Sequence, residues 1–132
     1  MRKITKQQVT ELIALHPEVV DFGSEKDAVG EEWIKKAENR LNLILPESYK
    51  WYLREYGGGN IGSEEIYSIY GKDFESVNGG DIVSQHIIDM KNKLINAKKL
   101  VVCEADFGEM FFFDYSDFKE GEPPVKLGSP LG

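Results

Sequence analysis

The stretch from Glu31 to Gly62, EEWIKKAENRLNLILPESYKWYLREYGGGNIG, decides the architecture. It reads as a helix, a break at Leu45-Pro46, a second helix and a glycine stop. In the first helix Trp33, Ile34, Ala37, Leu41 and Ile44 recur at three- and four-residue steps and share one face. The pairs Glu31–Lys35 and Glu32–Lys36 have the favourable i,i+4 order, worth roughly 0.2–0.5 kcal/mol each. That helix is expected to stop just before Pro46, because a proline drives the preceding residue out of the α region. Pro46 suits the first position of the next helix, and Glu47 favours the positive end of its dipole. Tyr49, Tyr52, Leu53 and Tyr56 make the buried stripe of the second helix, with Trp51 off it. Gly57-Gly58-Gly59 stops the helix, since glycine adopts the left-handed cap conformation freely.

Working outward, residues Thr5 to about His16 predict a helix, with Thr5 and Gln8 as a capping box and Val9, Leu12, Ile13 and His16 as its stripe. Val19 to Phe22 is a short strand or an extended link, and Gly23 to Gly30 a polar loop. Downstream, Glu65 to Tyr70 (EIYSIY) reads as a strand. Lys72 to Gly80 is a loop ending in an Asn-Gly-Gly turn signal. Asp81 caps a helix running to about Leu94, with Val83, Ile87, Met90 and Leu94 on one face. Leu100 to Glu104 (LVVCE) is apolar on both faces, as a central strand is. A turn over Ala105 to Glu109, with Gly108 suited to a positive φ, leads to a returning strand Met110 to Tyr115, so the pair forms an antiparallel hairpin. Ser116 to Pro124 is an acidic, mostly exposed loop that includes Glu120, and Val125 to Leu127 a last short strand. The fold class is therefore α+β: helices packed against one mainly antiparallel β-sheet, in a single domain spanning residues 1–132.

Two blocks of the chain carry a resemblance. The pattern A-E-x-x-L-x-x-x-L-P-x-S-Y-K-x-x-L-x-x-Y-G-G-G, Ala37 to Gly59, resembles the signature of the SUKH superfamily. Phe111-Phe112-Phe113-Asp114 and Gly121-Glu122-Pro123-Pro124-Val125 match its later strand, acidic loop and returning strand in the same order. The superfamily includes a fungal regulator of cell-wall assembly and many bacterial immunity proteins that neutralise secreted toxins, often nucleases, by binding them. The resemblance thus implies a non-enzymatic protein-binding module, with a cognate and basic toxin domain as the partner. An intracellular regulator or scaffold is the alternative it implies. Its motif residues Leu45, Pro46, Ser48, Tyr49, Gly57 and Gly58 are expected to maintain the fold. Relatives usually continue into a further helix where this sequence ends at KLGSPLG.

Composition narrows the partner class. Sixteen basic and 23 acidic side chains give a formal charge of −7, which opposes a nucleic-acid backbone or an anionic membrane and favours a basic protein. No signal-peptide core and no run of ~20 apolar residues is present, so the expected compartment is the cytoplasm. The single cysteine, Cys103, sits in an apolar run and reads as a small buried hydrophobe rather than a nucleophile.

Chemistry-bearing candidates are few. His16 and His86 lie in no metal-ligand spacing, and no metal or cofactor is expected. The glycine run follows a helix and precedes a strand, unlike a phosphate-binding loop. The acidic set Glu104, Asp106, Glu109, Asp114 and Asp117 around the hairpin can be read as a solvated tip, a protein-binding surface, or a cation or acid–base site; the second is the functional candidate. Trp51, off the helical stripe, is the candidate aromatic anchor. A small enzyme or metal binder is the third reading, and it requires a deep pocket of titratable groups.

Overall fold

The computed structural model describes residues 6–105, 109–117 and 122–129. Thr5, Asp106, Gly108, Glu120 and Gly121, which figured in the sequence reading, lie outside the described residues. In chain order the elements are α1 (Lys6–Leu15), β1 (Val20–Phe22), α2 (Glu31–Leu41), α3 (Glu47–Glu55), β2 (Gly59–Ile61), β3 (Glu64–Ile66), α4 (Ile82–Lys91), β4 (Lys99–Glu104), β5 (Met110–Asp114) and β6 (Val125–Gly128). The six strands form one antiparallel sheet in sequential order. This is the α+β arrangement of helices against one sheet that the sequence predicts.

One file of residues crosses the whole sheet: Phe22, Gly59, Ile66, Cys103, Phe111 and Leu127 stand opposite one another in turn. Strand β2 was not expected, because Gly59 in a glycine run reads as a breaker. Its missing side chain is what the file requires. A Cβ on Gly59 would stand 2.7 Å from the Phe22 ring. β4 is buried from Leu100 to Cys103, on both faces, as a central strand should be. The extended run after β3 leaves the sheet early. Tyr67 still donates its N–H to the Val102 carbonyl, but Ser68 bridges Asp81 instead.

The helices are packed by the residues their spacing predicts, with four differences. α2 ends at Leu41, not before Pro46, because Asn42 takes the left-handed conformation (φ 55°). Ile44 is thereby left exposed, and Leu45, 1% exposed, takes the core position. Glu31 does not pair with Lys35. It accepts two hydrogen bonds from Arg54, at 2.5 and 3.0 Å, clamping α2 to α3, whereas Glu32 meets Lys36 at 3.0 Å as expected. α4 ends at Lys91 rather than at about Leu94; Met90 in it and Leu94 beyond it are exposed, and the buried positions are Ile82, Val83, Ser84, His86 and Asp89. Three polar residues there occupy core positions, so the apolar pattern misplaces the inward face. α1 buries none of its residues; Val9 and Ile13 are half-covered and Leu12 is exposed.

α3 is fixed from several sides. Its aromatic stripe reaches the sheet, with Tyr52 edge-on to Phe22 and Tyr49 edge-on to Phe113. The Tyr49 hydroxyl, fully buried, donates to the Tyr67 carbonyl at 2.6 Å. Glu38 on α2 accepts the Leu45 N–H at 2.8 Å and meets Lys50 of α3 at 3.2 Å. At the far end Gly57 has φ 77°, and a side chain there would collide with the Asp27 carbonyl. The motif residues Leu45, Pro46, Tyr49 and Gly57 are accordingly interior.

Candidate functional site

The acidic set does not form one cluster. Glu104, exposed at the end of β4, stands opposite Met110. Glu109 is exposed beside it, and its carbonyl accepts the Ala105 N–H at 2.9 Å. Asp114 and Asp117 lie at the other end of β5, about 14 Å away at a strand's rise of ~3.4 Å per residue. Asp106 lies outside the described residues.

Asp114 faces inward. Its side chain is almost wholly buried and accepts hydrogen bonds from Lys126 Nζ at 2.7 Å and from the Ser116 N–H at 3.0 Å; the Ser116 hydroxyl donates to it as well. Lys126, then Ser116, hold its carboxyl at about 2, well below the usual range. Asp117 is exposed and stands 3.9 Å from the same lysine. The loop that follows is not wholly a solvated strip: Glu122 accepts the Ser48 N–H at 2.8 Å, and Pro123 is buried.

Trp51 is half-buried on α3, with its ring edge-on to Tyr56 at 5.7 Å. It is on a different element from the carboxylates, and among the described residues its ring contact is with Tyr56.

Cys103 is buried, as expected. Burial, and after it the charges of Glu64, Glu104 and Glu65, push its thiol up, the reverse of what a nucleophilic thiolate needs. His86 is buried on α4, and its Nδ1 has no hydrogen-bond partner among the described residues. Burial, reinforced by Arg40, lowers it to about 4. Among the described residues no group of three His, Cys, Asp or Glu is arranged to hold a metal ion. No helix in the described residues is long and apolar enough to cross a membrane.

One feature escaped the sequence reading. An open groove of about 420 Å³ runs over the sheet, lined by Ile61, Glu64, Ile66, Cys103, Phe111 and Val125 among others. Most of these belong to the cross-sheet file or to its flanking positions. Only the strand register brings them together, and β2, which supplies Ile61, was hidden by its glycine. A second cavity, of about 400 Å³, is walled by the glycine run Gly57 to Gly59 with Asp27, Ser68 and Tyr70. The Ser68 hydroxyl there donates to the Gly57 carbonyl, and Tyr70 donates to Glu65 at 2.6 Å. These internal bonds occupy much of its polar lining.

Comparison with known proteins adds one finding. A family model described as SMI1-KNR4 cell-wall matches residues 31–127, from the start of α2 to β6. No curated protein matches the chain.

Proposed function

The chain belongs to the SMI1-KNR4 family of the SUKH superfamily, and from that premise we propose that it is a non-enzymatic protein-binding module, an immunity protein that neutralises a cognate toxin by direct binding. The observation that carries this reading is the family match, which takes in both helices of the central stretch and the hairpin sheet. The net charge of −7 supports a basic, nuclease-type toxin domain as the partner, met in the cytoplasm. The mechanism is steric and electrostatic: an acidic surface docks on the basic cleft a nuclease uses for its substrate and covers it. Exposed Glu104, Glu109 and Asp117, with Trp51 as anchor, are the described residues of the predicted set that are available to a partner.

The test is co-expression of the tagged protein with the product of the neighbouring gene, followed by pull-down and a nuclease assay. A stable, salt-sensitive complex with a basic domain, and loss of that domain's activity, is the expected result. Active toxin that never co-purifies overturns the reading. The family's cell-wall description supports a second reading, a regulator or scaffold of cell-wall assembly. That reading requires partners among the cell's own envelope or regulatory proteins.

A further inference from the structure

The groove over the sheet is flanked by an edge. β6 pairs with β5 on one side, and among the described residues no strand pairs with its other side. The Asp114 N–H donates to the Pro124 carbonyl, which sets the phase of the ladder. Antiparallel pairs alternate between bonded and unbonded, so Asp114–Pro124, Phe112–Lys126 and Met110–Gly128 are the bonded pairs. Val125 and Leu127 therefore turn their backbone N–H and C=O groups outward, away from β5. Such a row is a template for another strand.

The side chains of the same two residues stand on the groove side. Leu127 is opposite Phe111, and Val125 is opposite Phe113, two residues along. Val125 is 56% exposed, Leu127 55% and Ile61 45%, so the rim of the groove is apolar and uncovered, above a floor that includes half-buried Ile66 and Phe111. Lysine on an edge strand usually discourages pairing. Here Lys126 points to the opposite face and is held by Asp114, so it does not guard the edge.

Charge selects the occupant. Glu64 is the one carboxylate among the residues that line the groove, and no lysine or arginine lines it. Its one hydrogen bond among the described residues is from the Ser63 hydroxyl, at 3.5 Å. A second copy would bring another charge of −7 against the same face. A basic partner does not meet that repulsion.

We propose that β6 and the adjoining groove are a docking site for an extended segment of a basic protein partner, which pairs with the outward groups of Val125 and Leu127 and lays apolar side chains over Ile66 and Phe111. This deepens the reading of the chain as a binding module and rests on it, but it concerns a groove that none of the described sequence candidates lines.

The test uses the full chain and two capped peptides, KKVTFTVKK and EEVTFTVEE, whose central Thr residues face the Lys126 side, titrated while amide resonances are followed by NMR. The basic peptide is expected to give saturable shifts in β2, β3, β5 and β6, largest at Val125 and Leu127, that weaken with salt. Leu127→Ser and Ile61→Ser, both at exposed positions, should each weaken it at least tenfold with the spectrum otherwise intact. The acidic peptide should not saturate. The proposal is overturned by no saturable shift at millimolar peptide, by shifts centred elsewhere, or by equal binding of both peptides. A concentration-dependent dimer abolished by Leu127→Ser would also overturn it, by giving the face to a second copy. The outcome is separable from the immunity reading. A peptide that docks while no toxin is bound removes only the toxin. A toxin that binds the two serine variants unchanged removes only the groove.

Discussion

Lys126 Nζ lies 2.7 Å from Asp114 Oδ2, and this contact joins edge strand β6 to β5 on the face away from the groove. The carboxylate is nearly buried, whereas the lysine is about half-exposed, so the pair is anchored from the inside. Asp114 is held at about 2, first by the Lys126 hydrogen bond and then by Ser116. Its folded pKa is below its unfolded one. The stability it supplies is thus full above about 4 and is lost as pH falls toward 2. Asp114→Asn should cost about 1.5–3 kcal/mol at neutral pH, the range for a charged hydrogen bond. It should also flatten the fall in stability between pH 4 and 2, read by urea unfolding at each pH. A variant whose acid limb matched the parent's would show that the pair contributes nothing.

His86 predicts a separate window. Burial, with Arg40 next, lowers it to about 4, below the usual histidine value. The unfolded chain takes up a proton near pH 6.5 and the folded chain only near 4. Stability is therefore lost as pH falls from about 6.5 to 4, by an amount on the order of 2–3 kcal/mol. Asp89 works in the other direction, because burial raises it, so the parent curve alone does not isolate the histidine. The comparison with His86→Gln does. Between pH 6.5 and 4 the parent's urea midpoint should fall relative to that variant's, which keeps the Asp89 contribution.

The central stretch was legible because its signals are local. Pro46, the tyrosine stripe and the glycine stop each act within one or two turns: Tyr49, Tyr52 and Leu53 are buried as the spacing requires, Tyr56 caps the helix half-buried, and Pro46 stands one residue ahead of its expected place, as the N-cap of a helix that begins at Glu47. What was missed depends on partners distant in sequence. Asn42 ended α2 early through its own backbone preference, and Glu31 chose Arg54, 23 residues on, over Lys35. β2 was concealed because Gly59 is needed under the Phe22 ring, a contact no window of sequence contains. The acidic set looked like one cluster because the hairpin is short in sequence. In space a strand's length divides it, and Asp114 turns inward to Lys126. The groove was illegible for the same reason as β2: it exists only once the five strands β2 to β6 are in register.

Gly57 ties two of these features together. It has φ 77°, and an added Cβ would collide with the Asp27 carbonyl. Gly57→Ala must therefore either move the 24–27 turn or unwind the end of α3. A cost of about 2 kcal/mol or more is expected, larger than the left-handed conformation alone imposes on alanine. Gly62→Ala is the control, with φ 61° and open space around its Cβ position, and should cost about 1 kcal/mol. Equal losses in thermal or urea unfolding would remove the collision from the account.

The exposed carboxylates and Trp51 make a prediction about rates rather than stability. Glu104, Glu109 and Asp117 are on the surface, so neutralising all three to the amides should change unfolding free energy by less than about 0.5 kcal/mol per site. If they steer a basic toxin domain, the association rate should fall about tenfold at low salt and converge with the parent's at high salt. Trp51→Ala should act on the other constant. An aromatic anchor desolvated at an interface is expressed mainly in dissociation, and a loss of about 2 kcal/mol corresponds to roughly 30-fold faster release. Surface plasmon resonance of the four-substitution series against the toxin domain separates the two effects. Unchanged association in the triple variant would place the docking surface elsewhere, and a Trp51→Ala variant that lost only thermal stability would return that ring to its packing against Tyr56.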